Sequence, residues 1–427
     1  GGTFDLDGNA ESGLFLTGFN QPVVRNVKII GSALFGIYVR DCCEDDISHC
    51  TFQKAGDPTS PDAGYSGQFG YGLIHAYSCY SRVSNCIGYE GWHTFEAADG
   101  QRDITYTDCM VLSDGHGFST HENCVSVSYI NCRSQARLPM VIRARYLTIQ
   151  GGEYVSTNSD ASFSFSGWAG SITGAKIKSE VTGTMIRANA MGILGTEPVT
   201  PPVRFTMANC ILEFGTSCTV ALGNESCDEL VISNNTFFMN GISGNYNLLI
   251  AQKLVVTNNT FITKSNSATV QFVAQDGYFL RNIINKADTV SATASDLITI
   301  FPLSGFVSPM KLKIQDNVYT GNVRYVFKSN VVLPEDIEIT CIRDSWHTTG
   351  GRIFIGPMTL SSYYNIAGDF YSTNLIYGQT FGPVLDKVIG DLILSKGTEY
   401  YDSMPTSSGS VGVGDIWNNA GVVSIKV

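Results

Sequence analysis

Charge is scarce in this chain. Only 15% of its 427 residues are Asp, Glu, Lys or Arg, and 27 basic residues face 38 acidic ones. A net charge of 27 − 38 = −11 argues against wrapping nucleic acid or docking on an anionic membrane. There is no apolar run of about 18 residues, so no helical membrane span is expected. No stretch of a dozen residues carries helical spacing of apolar positions, which removes helix-built folds. The twelve cysteines contain no C-x-x-C pair, the commonest zinc-site spacing. The chain opens Gly1-Gly2-Thr3, with neither Met nor a signal segment, and is expected to be trimmed from a longer protein.

What is present is repetition. Cys86, Cys109 and Cys132 recur at 109 − 86 = 23 and 132 − 109 = 23, each closing a similar phrase (Val83-Ser84-Asn85-Cys86, Tyr106-Thr107-Asp108-Cys109, Tyr129-Ile130-Asn131-Cys132). Ile47-Ser48-His49-Cys50 joins the series once an insert around 56–69 is looped out. Further on, Ile232-Ser233-Asn234-Asn235-Thr236-Phe237 is echoed by Val256-Thr257-Asn258-Asn259-Thr260-Phe261 and by Ile314-Gln315-Asp316-Asn317-Val318-Tyr319. Within each period lie short alternating runs of Val, Ile, Tyr, Phe and Thr, punctuated by Gly and Asn. A period of 20–25 residues built of strand and corner predicts an all-β fold, a single-stranded right-handed parallel β-helix. Equivalent residues then stack in columns one strand spacing, roughly 4.8 Å, apart. The cysteine column reads as a buried ladder of free thiols, suited to folding in a reducing cytoplasm. The N-x-T sequons at Asn234 and Asn258 fall on one corner and are explained by corner chemistry rather than glycosylation.

Repeats run to about residue 340, so 1–340 is expected to be the β-helix, with a carbohydrate groove. A β-rich appendage over 341–395 and a C-terminal tip over 396–427 follow.

Aligning one strand from successive coils places Ile37, Ile74, Phe95, Phe118, Ile142 and Phe163 inside by period-two alternation. The outward columns then read Tyr38, His75, Glu96, Ser119, Arg143 and Arg40, Tyr77, Ala98, His121, Arg145. Unequal coil lengths leave a one-residue slip open at His75 and Arg143. Asp99 and Glu122 fall at the next corner, one above the other, and Tyr89, Trp92, His93 and Trp168 supply an aromatic rim. Carboxylates, a histidine and aromatic platforms along an elongated face suit a carbohydrate chain. The expected catalytic residues are Asp99, Glu122, Glu96 and His121. His75, Tyr77, Trp92, His93, Arg143, Arg145 and Trp168 are expected to bind substrate. Each has a plainer reading: corner acids in solvent, a Glu96–Arg143 surface pair, arginines that are only counter-ions. His116, between two glycines, reads as structural. The run Glu44-Asp45-Asp46 reads as a solvated turn, with calcium a weaker alternative. Neither metal nor cofactor is called for.

These columns resemble the pectin-lyase-like group of parallel β-helix proteins. Gly115-His116-Gly117 resembles the G-H-G of polygalacturonases, although Thr94 and Phe95 stand where their paired aspartates would be. Gly117-Phe118-Ser119-Thr120-His121-Glu122 is similar to the G-F-D-P-H-E phrase of mannuronan epimerases, with Ser119 in place of their acid. The whole chain resembles bacteriophage tailspikes, and Pro405 to Gly421 is similar to the ends of several tail proteins. That resemblance implies a homotrimer on a virion that binds and cuts a capsular or lipopolysaccharide glycan. Other tail proteins would be partners through a preceding particle-binding part. Two acids near each other would hydrolyse a glycosidic bond. The alternatives are β-elimination from a uronic-acid polymer, with His121 or Tyr77 as base and an arginine on the carboxylate, and a non-catalytic adhesin.

Overall fold

The repeating phrases become coils. In the computed structural model each coil contributes short strands that pair in parallel with those of the coils before and after it, forming a parallel β-helix. The structure describes residues 1–6, 12–55, 70–113, 115–121, 123–157 and 163–179, and from 183 onward strands and corners reaching 367, then 416–419 and 422–425. One face carries Phe35–Arg40, Tyr71–Ala76, His93–Ala98 and His116–Thr120, and continues into the long strand Leu138–Gln150. This is the site face. A second face stacks Val23–Arg25, Asp46–Ser48, Arg82–Ser84, Ile104–Thr107 and Cys124–Ile130. The third is a fourteen-stranded sheet that includes Thr51–Gln53, Ile87–Tyr89, Met110–Leu112 and Arg133–Ala136.

One column explains how the coil turns between the second and third faces. Asn26, His49, Asn85, Asp108, Asn131, Asn209, Asn234, Asn258, Arg281 and Asp316 all have positive φ, and Gly151 and Gly174 take the same place in their coils. Short polar side chains and glycine adopt that left-handed backbone at least cost, which is why the phrases end as they do. The residue after each points inward. In the first coils it is Cys50, Cys86, Cys109 and Cys132, all buried, with the Cys50 amide donating to Cys86 Sγ. Further along, the column changes to Asn235, Asn259, Asn282 and Asn317. The Oδ1 of Asn259, Asn282 and Asn317 each accepts from the backbone N and the Nδ2 of the asparagine before it, at 2.7–3.1 Å. Both sequon asparagines sit on the left-handed corner just ahead of this ladder.

Eight described cysteines are free and buried. Cys43 and Cys79, however, form a disulfide, which departs from the all-thiol expectation. The reason is the stacking itself: the two occupy one corner on consecutive coils, 4.7 Å apart at Cα, inside the range a disulfide spans.

The interior is packed with columns of large side chains. Phe52, Phe95, Phe118, Tyr106 and Tyr129 meet by stacking and edge contacts, all fully buried. Parallel pairing continues beyond 340, through Ile337–Ile342, Ser345–Thr349 and Tyr363–Ala367. Ile416–Asn419 and Val422–Ile425 form an antiparallel hairpin.

Candidate active site

Local chain geometry on the site face departs from strict alternation, and this builds the site. In His93–Ala98, Thr94 and Phe95 are both buried, so His93 and Glu96 emerge on the same outer side, three residues apart. The neighbouring coils follow suit. Phe35, Tyr71, His93 and His116 occupy one outer column, and Tyr38, Ile74, Glu96 and Ser119 the next. Close packing beneath them requires small residues: a Cβ at Gly117 would collide with Ser134 Oγ and lie 2.6 Å from the Pro139 carbonyl.

Glu96 is the centre. It has no solvent exposure, and a buried carboxylate must be matched by charge and hydrogen bonds. Ser119 donates its hydroxyl to Glu96 Oε2. His93 Nδ1 lies 3.2 Å from the same oxygen and 3.1 Å from Ser119 Oγ. Burial pushes the His93 imidazole down to about 3, and the His121 and Arg143 charges push the same way, so the ring is neutral. With the Ser119 proton committed to Glu96, Nδ1 must carry the ring proton to donate to either oxygen. On the other side, His121 Nε2 stands 3.6 Å from Glu96 Oε1. His121 is 40% exposed, so this pair connects a dry carboxylate to solvent through one imidazole.

The aromatic surround is more extensive than the sequence suggests. Tyr71 lies 5.0 Å from His93, His93 4.3 Å from His116, and Trp92 stacks on His116 at 5.5 Å. Burial drives the Tyr71 phenol well up, assisted by the charges of Glu96 and Asp99. Tyr71, Ile74 and Ala98 form a small apolar cluster outside the solenoid core, with Phe35 and Tyr38 against it. His116, expected to be structural, and Tyr71, not singled out, both belong to this wall. Strict alternation hid them, because the double inward step at Thr94-Phe95 breaks the period of two.

The remaining expected residues separate by place. Asp99 sits exposed at the corner after the strand, with φ +46°. Glu122 lies outside the described residues, and so does its expected stacking on Asp99. Arg143 is exposed beside His121, whose neighbour Thr120 accepts the Arg143 amide through Oγ1. Tyr77 is exposed at the corner, and its ring carries the Arg40 guanidinium at 5.5 Å. Arg145 covers Trp168 at 4.9 Å, with Tyr146 edge-on to Trp168.

His75 is a correction: it faces inward and is wholly buried, between Val39 and Ala97. Leu73, not Ile74, pairs with Phe95, and a slip of one residue exchanges the two sides of a strand. At Arg143 the slip is two residues, since Met140 pairs with Phe118, and so its side is kept. Within the core His75 Nε2 meets Asp45 Oδ1 at 2.8 Å, and Ser81 donates to Asp45 Oδ2 at 2.6 Å. Asp45, expected in a solvated turn, is therefore a core residue as well. Among the described residues no group of three His, Cys, Asp or Glu is arranged to hold a metal ion.

No family model matches the chain, and no curated protein matches it. Similar solved structures include a hyperthermoactive exopolygalacturonase from Thermotoga maritima, at 11% identity over 83% of this chain and 84% of that one, TM-score 0.27. The A-module of an Azotobacter vinelandii mannuronan C-5 epimerase is similar at 11% identity over 82% and 92%, TM-score 0.32. A surface protein and adhesin of Streptococcus pneumoniae is similar at 10% identity over 83% and 91%, TM-score 0.20. None of the three lends a residue role to this chain, whose site rests on its own geometry.

Proposed function

We propose that this chain is a polysaccharide depolymerase that holds a bacterial surface glycan along its site face and cuts it beside His121. The observation that carries the reading is the Glu96–His121 pair, a fully buried carboxylate behind a half-exposed imidazole. Glu96 Oε1 faces His121 Nε2, and His121 can give a proton to a leaving glycosidic oxygen at the surface. Neutral His93 and Ser119 hold Glu96 in place by hydrogen bonds, so that Oε1 stays turned to His121. Asp99, exposed at the adjoining corner, is the carboxylate available to activate water, which completes hydrolysis. This redistributes the expected roles: Glu96 acts through His121 instead of touching substrate.

A second reading is β-elimination from a uronic-acid polymer, favoured by the position of Arg143. Its charge is felt at His93, alongside that of His121. There it can neutralise a substrate carboxylate while unprotonated His121 takes the adjacent carbon-bound proton. Mass spectrometry of products from purified capsules and O-antigens tests both. Saturated oligosaccharides support hydrolysis, and products lighter by one water, with an unsaturated end, support elimination. Binding without any shortening of the polymer would leave an adhesin. As part of the same proposal the chain is a homotrimeric phage tailspike, folded in the bacterial cytoplasm and carried on the virion. The phrase from Pro405 to Gly421 supports that assignment by resemblance.

A further inference from the structure

We infer that the substrate is an anionic glycan lying parallel to the solenoid axis, bracketed at both ends by an arginine stacked on an aromatic ring. This rests on the depolymerase reading and names its substrate class. The two stacks are Arg40 over Tyr77 and Arg145 over Trp168. In both, arginine and ring come from consecutive coils. Following the pairing Arg40↔Ala76↔Ala98, then the His121 amide to the Ala97 carbonyl, then Leu138–Gln150, Arg40 and Arg145 are four coil steps apart. Tyr77 and Trp168 are also four steps apart. Glu96 and His121 occupy the third and fourth of the six coils involved, midway between the brackets. Four steps correspond to about 19 Å, the scale of a short oligosaccharide.

The chemistry of the brackets selects charge. A guanidinium laid on a ring keeps its in-plane N–H groups available, and those match a carboxylate with two parallel hydrogen bonds. Arg145 Nε is buried and has no hydrogen-bond partner among the described residues, so Arg145 would meet a ligand through the outer end of its guanidinium. At the other end Arg40 Nε meets Asp41 at 3.3 Å, with both side chains about half exposed (47% and 56%). Such a surface pair is weak and can yield to a ligand carboxylate. His121 lies between the brackets, Arg143 adds a second guanidinium on the same strand as Arg145, and Asp99 is an exposed acid one coil before His121. Overall charge does not draw the ligand in, since the chain is strongly acidic. Pairing with these side chains must do so.

The test is retention of the full chain on immobilised bacterial polysaccharides containing hexuronate or sialate, each beside its carboxyl-reduced neutral derivative. The chain is expected to hold at least one acidic polymer and to release it on carboxyl reduction. Arg40→Gln and Arg145→Gln should each weaken that binding about tenfold. Arg145→Lys, which keeps charge but not the planar fork, should recover only part of the loss. Equal retention on a carboxyl-reduced polymer, wild-type binding by the double Gln variant, or no retention on any acidic polymer would each overturn the inference. If a neutral polymer is shortened, the depolymerase reading stands and the brackets fall. If acidic binding depends on both arginines and nothing is shortened, the brackets stand and the depolymerase reading falls.

Discussion

Glu96 illustrates what one buried acid demands of its neighbours. Ser119 and His93 supply hydrogen bonds to one oxygen, and His121 faces the other. Glu96→Gln keeps the shape and removes the carboxylate that faces His121. It should lower kcat about 100-fold or more with little change in KM, and His121→Ala should do at least as much. Initial rates of product release on a cleaved glycan check both, and unchanged kcat in Glu96→Gln would remove it from the mechanism. His93 gives a pH signature. Its folded-state pKa, about 3, lies below the ordinary 6.5, so between these values the unfolded chain binds the extra proton. Stability therefore rises with pH across that window and is lost as pH falls from about 6.5 toward 3. Asp45 adds to the acid side. Burial alone would raise its pKa, but the His75 charge and the hydrogen bonds from His75 and Ser81 hold it below the usual value. Its contribution is present above the unfolded value of about 3.9 and fades as pH drops through the lower folded value. Melting temperature against pH should show this slope, and His93→Gln should flatten the part between about 4 and 6.5.

At the scale of strands and corners, what could be read in the sequence depended on equal spacing. The 23-residue phrases disclose the coil, the left-handed corner and the cysteine column, because one shape recurs wherever the wording does. The same logic brought Glu96 and His121 together on one face. It failed at His75, since the 56–69 insert precedes Tyr71 and the run Tyr71-Gly72-Leu73-Ile74-His75 offers two apolar residues for one inner seat. It also missed the wall of Tyr71 and His116, where two inward residues in succession shift the outer side. The asparagine ladder yields a prediction at this scale. Asn259→Ala removes the acceptor for the Asn235 amide and side chain and strips partners from the Ile232 and Thr257 carbonyls. The loss should be about 3 kcal/mol. Cys109→Ala removes only a small packed thiol and should cost about 1 kcal/mol. Denaturant midpoints would compare them, and equal losses would show that the amide ladder adds nothing beyond packing.

For the molecule as a whole, each coil touches its neighbours alone, so its integrity is a sum of adjacent contacts. The Cys43–Cys79 disulfide closes a loop across one such contact, at a sequence separation of 36. By restricting the unfolded chain, a cross-link over a loop of this length is worth at most about 4 kcal/mol. A Cys43→Ala, Cys79→Ala double variant should melt at a lower temperature than wild type in the absence of reductant. The two should converge when reductant is present. Light scattering should give three times the 46.2 kDa chain mass if the tailspike proposal holds, and a one-chain mass would end the homotrimer.

Because the two arginine brackets belong to separate rungs, the gap between them is quantised. Inserting or deleting one complete 23-residue rung between His121 and Arg145 would move the far bracket by a single increment of about 4.8 Å. The corner stack would be left unbroken. The wall is in that sense a ruler with fixed graduations, and the chain length of the preferred oligosaccharide should step by roughly one sugar unit for each rung added or taken away.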